Sequence, residues 1–95
     1  MEINTVKNGL YIDYRESLLI TNLKDKVEFK TENMIIGDII FYKENDIMLL
    51  IERKTIFDLV SSIKDGRLRD QTSRILDTIN PEKCVFLIEG SLYMN

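Results

Sequence analysis

The chain has no histidine and no tryptophan, and only one cysteine, one proline and four glycines in 95 residues. Without histidine there is no imidazole base, no histidine-ligated zinc and no Ser-His or Cys-His nucleophile. Any catalysis must rest on carboxylates and lysine. The single cysteine, Cys84, cannot close an internal disulfide, and its apolar run Cys84-Val85-Phe86-Leu87-Ile88 reads as the setting of a buried, inert thiol. No apolar run approaches the roughly 18 residues of a membrane span, and no basic-then-apolar leader opens the sequence. The expectation is a protein with no membrane partner, intracellular, nuclear in a eukaryote and otherwise cytoplasmic. Repeats and Pro/Gly/Ser-rich linkers are also missing, so residues 1–95 are expected to form one domain around one core.

What is present is an ordinary globular balance, 44% apolar and 31% charged. The net charge of −3 does not advertise nucleic-acid binding, but its distribution is uneven. Between Arg53 and Arg74 six basic residues face three acidic ones, a local +3, while acids gather at Glu28 with Glu32 and at Glu44 with Asp46.

Periodicity sets the element order. Gly9 to Asp13 suits a first strand, and Ser17 to Lys26, with Leu18, Leu19 and Leu23, suits an amphipathic helix. Val27 to Thr31 alternates with period two, as a half-exposed strand does. Met34 to Tyr42 is β-rich and leads through a polar turn, Lys43-Glu44-Asn45-Asp46, into the apolar run Ile47 to Ile51. That run is expected to be a fully buried central strand delivering Glu52-Arg53-Lys54 at its end. Thr55 can cap a helix over Ile56, Phe57, Leu59, Val60 and Ile63, stopped by Asp65-Gly66. A second helix runs from Arg67 to about Asn80, ended by Asn80-Pro81, and Cys84 to Ile88 makes another buried strand. The order β-α-β-β-β-α-α-β predicts an α/β fold, a mixed sheet with helices on both faces. Tyr11, Tyr42 and Phe57 are read as core residues.

The hairpin between Asp38 and Glu52 would fold two carboxylates beside each other at one sheet edge. Glu52 and Lys54, two apart on an extended segment, leave the same face. Two or three carboxylate oxygens suit a hard cation such as Mg²⁺, which keeps waters in its remaining positions. A lysine beside such an ion can position an attacking water and offset charge on a phosphate. Taken alone, Glu52-Arg53-Lys54 reads as a solvated charge run.

The wider pattern changes that. Gly37-Asp38 followed by Glu52-Arg53-Lys54-Thr55-Ile56-Phe57-Asp58 spells Gly-Asp, then Glu-Arg-Lys-x-x-x-Asp. It resembles the nuclease domain of the XPF/Mus-type (Hef-like) family of structure-specific endonucleases. Ile12-Asp13-Tyr14-Arg15-Glu16 looks like that family's Val-Asp-x-Arg-Glu, Gly66-Arg67-Leu68-Arg69-Asp70-Gln71 its Gly-Arg-Leu-x-x-Gln, and Leu87-Ile88-Glu89-Gly90 the strand that follows.

The resemblance implies a restriction-endonuclease-like α/β/α sandwich that cuts branched DNA with Mg²⁺, or Mn²⁺ in its place. It implies metal ligands at Asp13, Asp38 and Glu52, with the Arg53 carbonyl a further one, and a catalytic Lys54. Arg53 and Asp58 match essential motif positions, with orientation and an internal ion pair their expected roles. Asp58 equally suits the positive end of its helix. Glu16, Arg67 and Gln71 would orient the site or contact phosphate. A dimer with itself or a related subunit is also implied. After Ser91 too little sequence follows for a helix-hairpin-helix module, so the chain is expected to be a fragment or a minimal version. The rival expectation is a non-catalytic scaffold subunit that binds DNA and a partner.

Overall fold

The computed structural model describes residues 6–90. Strand β1 (Gly9–Asp13) leads into helix α1 (Ser17–Leu23), then β2 (Lys30–Glu32), β3 (Ile39–Lys43) and β4 (Asp46–Thr55). Helices α2 (Ile56–Asp65) and α3 (Arg67–Leu76) and a 3-10 turn at Pro81–Lys83 precede β5 (Cys84–Glu89). The order is the predicted one. The five strands form one mixed sheet, β2-β1-β3-β4-β5, in which β1 pairs parallel to β2, β4 parallel to β5, and β3 antiparallel to both its neighbours.

Strands β1 and β4 point the same way, and their crossovers step in opposite directions along the sheet. Since such crossovers are almost always right-handed, α1 belongs on one face and α2 with α3 on the other. Cross-strand partners Tyr11, Ile40 and Leu50 share a face and pack with Met34 and with Ile75 of α3 in the core. Ile12, of opposite parity on β1, is fully buried. The Tyr11 and Tyr42 rings meet edge to face, 5.1 Å between centroids.

Several boundaries differ from the periodicity. β2 falls at Lys30–Glu32, not at Val27–Thr31, and Val27 is exposed. α1 stops at Leu23 and α3 at Leu76, short of Lys26 and Asn80. β3 begins only at Ile39, because the segment before it is pulled off the ladder. The buried Met34 N–H goes to the Asp13 carboxylate, Arg15 donates to the Met34 carbonyl, and Gly37 turns with φ +75°. Within the predicted polar turn the hairpin reverses on Glu44 and Asn45, both at positive φ. β4 runs through the charged triplet to Thr55, so Glu52, Arg53 and Lys54 lie within the strand. Neither β4 nor β5 is fully buried: Met48, Val85 and Leu87 are exposed, since β5 is an edge strand and much of its outer face is uncovered. Among the described residues no helix is long and apolar enough to cross a membrane.

Gly37 is sterically obligatory. A Cβ there would sit 2.8 Å from Cγ of the fully buried Leu50. Gly37→Ala is expected to cost about 1–3 kcal/mol by overpacking and roughly another 1–2 from the left-handed backbone. Urea unfolding should show the midpoint fall with the slope unchanged; a midpoint within error of the parent's would refute the close packing.

Candidate metal centre

The site assembles where β1 and β4 end and β3 begins, since β3 runs opposite to both. Ile39 pairs with Ile51, so Asp38 and Glu52 stand side by side one step further on. Asp38 is pinned by its backbone: its N–H donates to the Ile51 carbonyl at 2.9 Å and its carbonyl accepts from the Asp13 N–H at 2.9 Å. Its Oδ2 accepts from the Arg53 N–H at 2.7 Å. Glu52 projects toward α3, and its carboxyl is pushed up to about 7, by burial first and then by the Asp38 charge. Lys54 leaves the same face, and its Nζ donates to Gln71 Oε1 at 2.9 Å. Asp13, Glu16, Asp38, Glu52 and Gln71 line one open cavity of about 370 Å³, bounded by Met34–Asp38 and α3.

Asp13 is almost completely buried, and both its oxygens are occupied. Oδ1 accepts from the Met34 N–H at 3.1 Å and Oδ2 from Arg15 Nε at 2.8 Å. It ties the Met34–Asp38 segment to the end of β1 whatever else it does. Arg53 leaves the opposite face from Glu52 and Lys54. Its guanidinium grips Glu89 through Nε at 2.7 Å and Nη2 at 3.0 Å, and Glu16 through Nη1 at 2.7 Å. This side chain orients Glu16 and β5 and does not enter the cavity. Glu16 nevertheless has a raised carboxyl pKa, because burial and the neighbouring Asp38 charge outweigh the Arg53 guanidinium. The Glu89 carboxyl is lowered, held down first by its hydrogen bonds from Arg53.

Two candidates stand apart from this cluster. Asp58 lies in the first turn of α2, where its N–H donates to the capping Thr55 hydroxyl, and it does not line the cavity. Arg67 is paired with Asp65 at 2.8 Å and lies outside the cavity too. Arg74, which the motif did not single out, lines it instead. Its signal was helical spacing: three residues after Gln71, it shares that face of α3. Arg15, part of the Asp13-Tyr14-Arg15-Glu16 pattern, also lines the cavity. Cys84 is half-buried, not fully buried, with its thiol pKa raised by burial and then by Glu52, which keeps it protonated and inert. Phe57 is 76% exposed on α2, so it is not a core residue.

The donor set fits a hard cation. Asp38 and Glu52 have no ion-pair partner among the described residues, and the repulsion that raises Glu52 is what a divalent ion would relieve. Among the described residues no three acidic, histidine or cysteine groups cluster tightly enough to cage an ion. Two carboxylates leaving positions for water are the pattern of Mg²⁺ bound for phosphate chemistry.

A model of the ERCC4 domain matches residues 12–95. Among solved structures, XPF from Aeropyrum pernix in complex with DNA superposes with a TM-score of 0.66 at 27% sequence identity, covering 90% of this chain and 41% of that one. A second structure of XPF from Aeropyrum pernix gives 0.67 at 28% identity, covering 86% and 37%. The chain thus spans about two fifths of the XPF chains it matches. No curated protein sequence matches it. The mixed sheet with helices is the restriction-endonuclease-like fold of the XPF nuclease domain. With the family model covering nearly the whole chain and the fold agreeing, this protein belongs to the ERCC4 domain family as an XPF-type nuclease domain.

Proposed function

We propose that the chain is a catalytically competent, metal-dependent endonuclease domain that hydrolyses phosphodiester bonds near branches in DNA. One observation carries the reading: Asp38 and Glu52 face one cavity side by side, without a cation partner among the described residues, beside Lys54. Asp38 and Glu52, with the Arg53 carbonyl, would hold Mg²⁺ or Mn²⁺, while Asp13, with both oxygens engaged, supports the wall beside them. Bound there, such an ion supplies an acidified water and neutralises charge on the phosphoryl oxygen. The chain's own residues do the rest. The Arg53 N–H fixes the Asp38 rotamer, and Gln71 holds the Lys54 ammonium. Lys54 orients the attacking water and stabilises the oxygen that becomes negative as the P–O bond forms. Glu16 is positioned by Arg53 at the cavity rim. Asp58 and Arg67 are assigned outside the chemistry, in the α2 cap and the α2–α3 junction.

The DNA in one of the similar XPF structures supports a DNA substrate. Flaps, splayed arms and forks, a dimer with itself or with a related subunit, and an intracellular location in DNA repair complete the proposal. The test uses labelled 3′-flap, splayed-arm and plain duplex DNA with Mg²⁺, Mn²⁺ or EDTA, beside Asp38→Ala. Cutting near the branch that needs metal and is lost with Asp38→Ala is expected. A chain that binds Mn²⁺ in calorimetry yet cuts nothing would refute catalysis by this domain alone. One that neither binds nor cuts is a scaffold.

A further inference from the structure

We propose that Arg74 grips a backbone phosphate of the DNA strand next to the one at Lys54, and so sets the register of the strand in the cavity. The inference rests on the DNA nuclease reading above. Among the described residues six charged side chains line the cavity, four acidic and two basic. Asp13 is neutralised by Arg15, and Glu16 by Arg53 from outside the cavity. Asp38 and Glu52 remain for the metal. Arg15 spends its guanidinium on Asp13 and on the Met34 carbonyl. That leaves Arg74, exposed and with no ion pair or side-chain hydrogen bond among the described residues.

The uncompensated acids make the cavity repel a phosphodiester, so a strand entering it needs a cation beyond the reacting centre. Arg74 stands on the wall that carries Gln71, the residue holding Lys54. Three residues along α3 correspond to about 4.5 Å of helix axis. Gln71 and Arg74 therefore stand about one turn apart on the face of α3 that lines the cavity, so a phosphate held by Arg74 would lie beyond the one at Lys54 along the strand. A guanidinium presents a fork that fits two phosphate oxygens at once. Arg69, two residues before Gln71, instead lines the groove between α2 and α3 and supplies the control.

The experiment is binding of a fluorescent splayed-arm DNA by the whole chain in EDTA, by anisotropy over a salt series starting low. The proposal predicts that Arg74→Gln lowers the slope of log affinity against log salt by about 0.9, the release expected for one phosphate contact. Arg74→Lys should recover most of that slope, and Arg69→Gln should leave it unchanged. All three should melt with the parent. With Mg²⁺ added, Arg74→Gln should raise KM several-fold with kcat little changed. An unchanged slope, an equal loss in Arg69→Gln, no recovery with lysine, or no salt-dependent binding by the parent chain would overturn the assignment. Because binding is read without metal, a failure of catalysis is seen separately as absent cutting in Mg²⁺.

Discussion

Glu52→Gln is expected to melt above the parent at pH 8, to match it near pH 4, and to lose DNA cutting. The folded chain holds the Glu52 carboxyl at about 7, against an ordinary 4.5, through burial and the Asp38 charge. A raised folded pKa means the native state binds the proton more tightly than the unfolded one. The stability this confers is complete below about pH 4.5 and declines as pH rises toward 7, where the folded carboxyl ionises. The shift is worth at most about 3 kcal/mol. Screening of a half-buried group brings this nearer 1–2 kcal/mol. Glutamine removes that loss, so a gain of roughly 5–10 °C at pH 8 is expected for a domain of this size. The same substitution deletes a ligand charge. Mn²⁺ should therefore raise the melting temperature of the parent and not of the variant, and cutting should fall by about 100-fold or more. A melting difference that does not change with pH would show that Glu52 carries no destabilising charge.

Asp13→Ala should be the most damaging for the fold among the carboxylate changes in the site. It strands the buried Met34 N–H and releases Arg15 from its side-chain anchor, and so loosens the Met34 end of the Met34–Asp38 segment, while the backbone bond from the Asp13 N–H to the Asp38 carbonyl stays. Hydrogen bonds to a charged group are worth about 1.5–3 kcal/mol each, so a loss of about 3 kcal/mol and roughly 10–20 °C is expected. Asp13→Asn keeps the acceptor for Met34 and should lose about a third of that. Asp38→Ala, whose carboxylate accepts from a single N–H at the cavity edge, should cost less stability while abolishing metal binding. Urea unfolding of the three variants ranks them; an Asp13→Ala chain as stable as Asp38→Ala would remove the structural role from Asp13.

The two predictions separate jobs that the motif runs together. Asp13, Asp38 and Glu52 are all acids in the recognisable pattern, yet only Asp38 and Glu52 are without a cation partner among the described residues. Arg53 lies between Glu52 and Lys54, which share a face of β4, and strand alternation sends its side chain the other way, to Glu16 and Glu89. Its influence on the cavity runs through its N–H and through Glu16.

Much of this was decided locally, and so could be read from the chain alone. Period two and period 3.6 fixed the number, kind and order of elements, because side-chain direction follows from backbone geometry within a few residues. A hairpin of known span brought Asp38 beside Glu52, and the two-residue step to Lys54 fixed its face. What depended on contacts distant in sequence could not be read that way. β3 starts late because Asp13, twenty-one residues earlier, captures the Met34 N–H. Arg67 turns to Asp65 and leaves the cavity to Arg74, and Phe57 stays exposed because nothing among the described residues covers its side of α2. Burial, partner choice and the raised Glu52 pKa all come from the assembled layers. Desolvation and Coulomb forces depend on which groups surround a charge in space, and only the tertiary structure decides that.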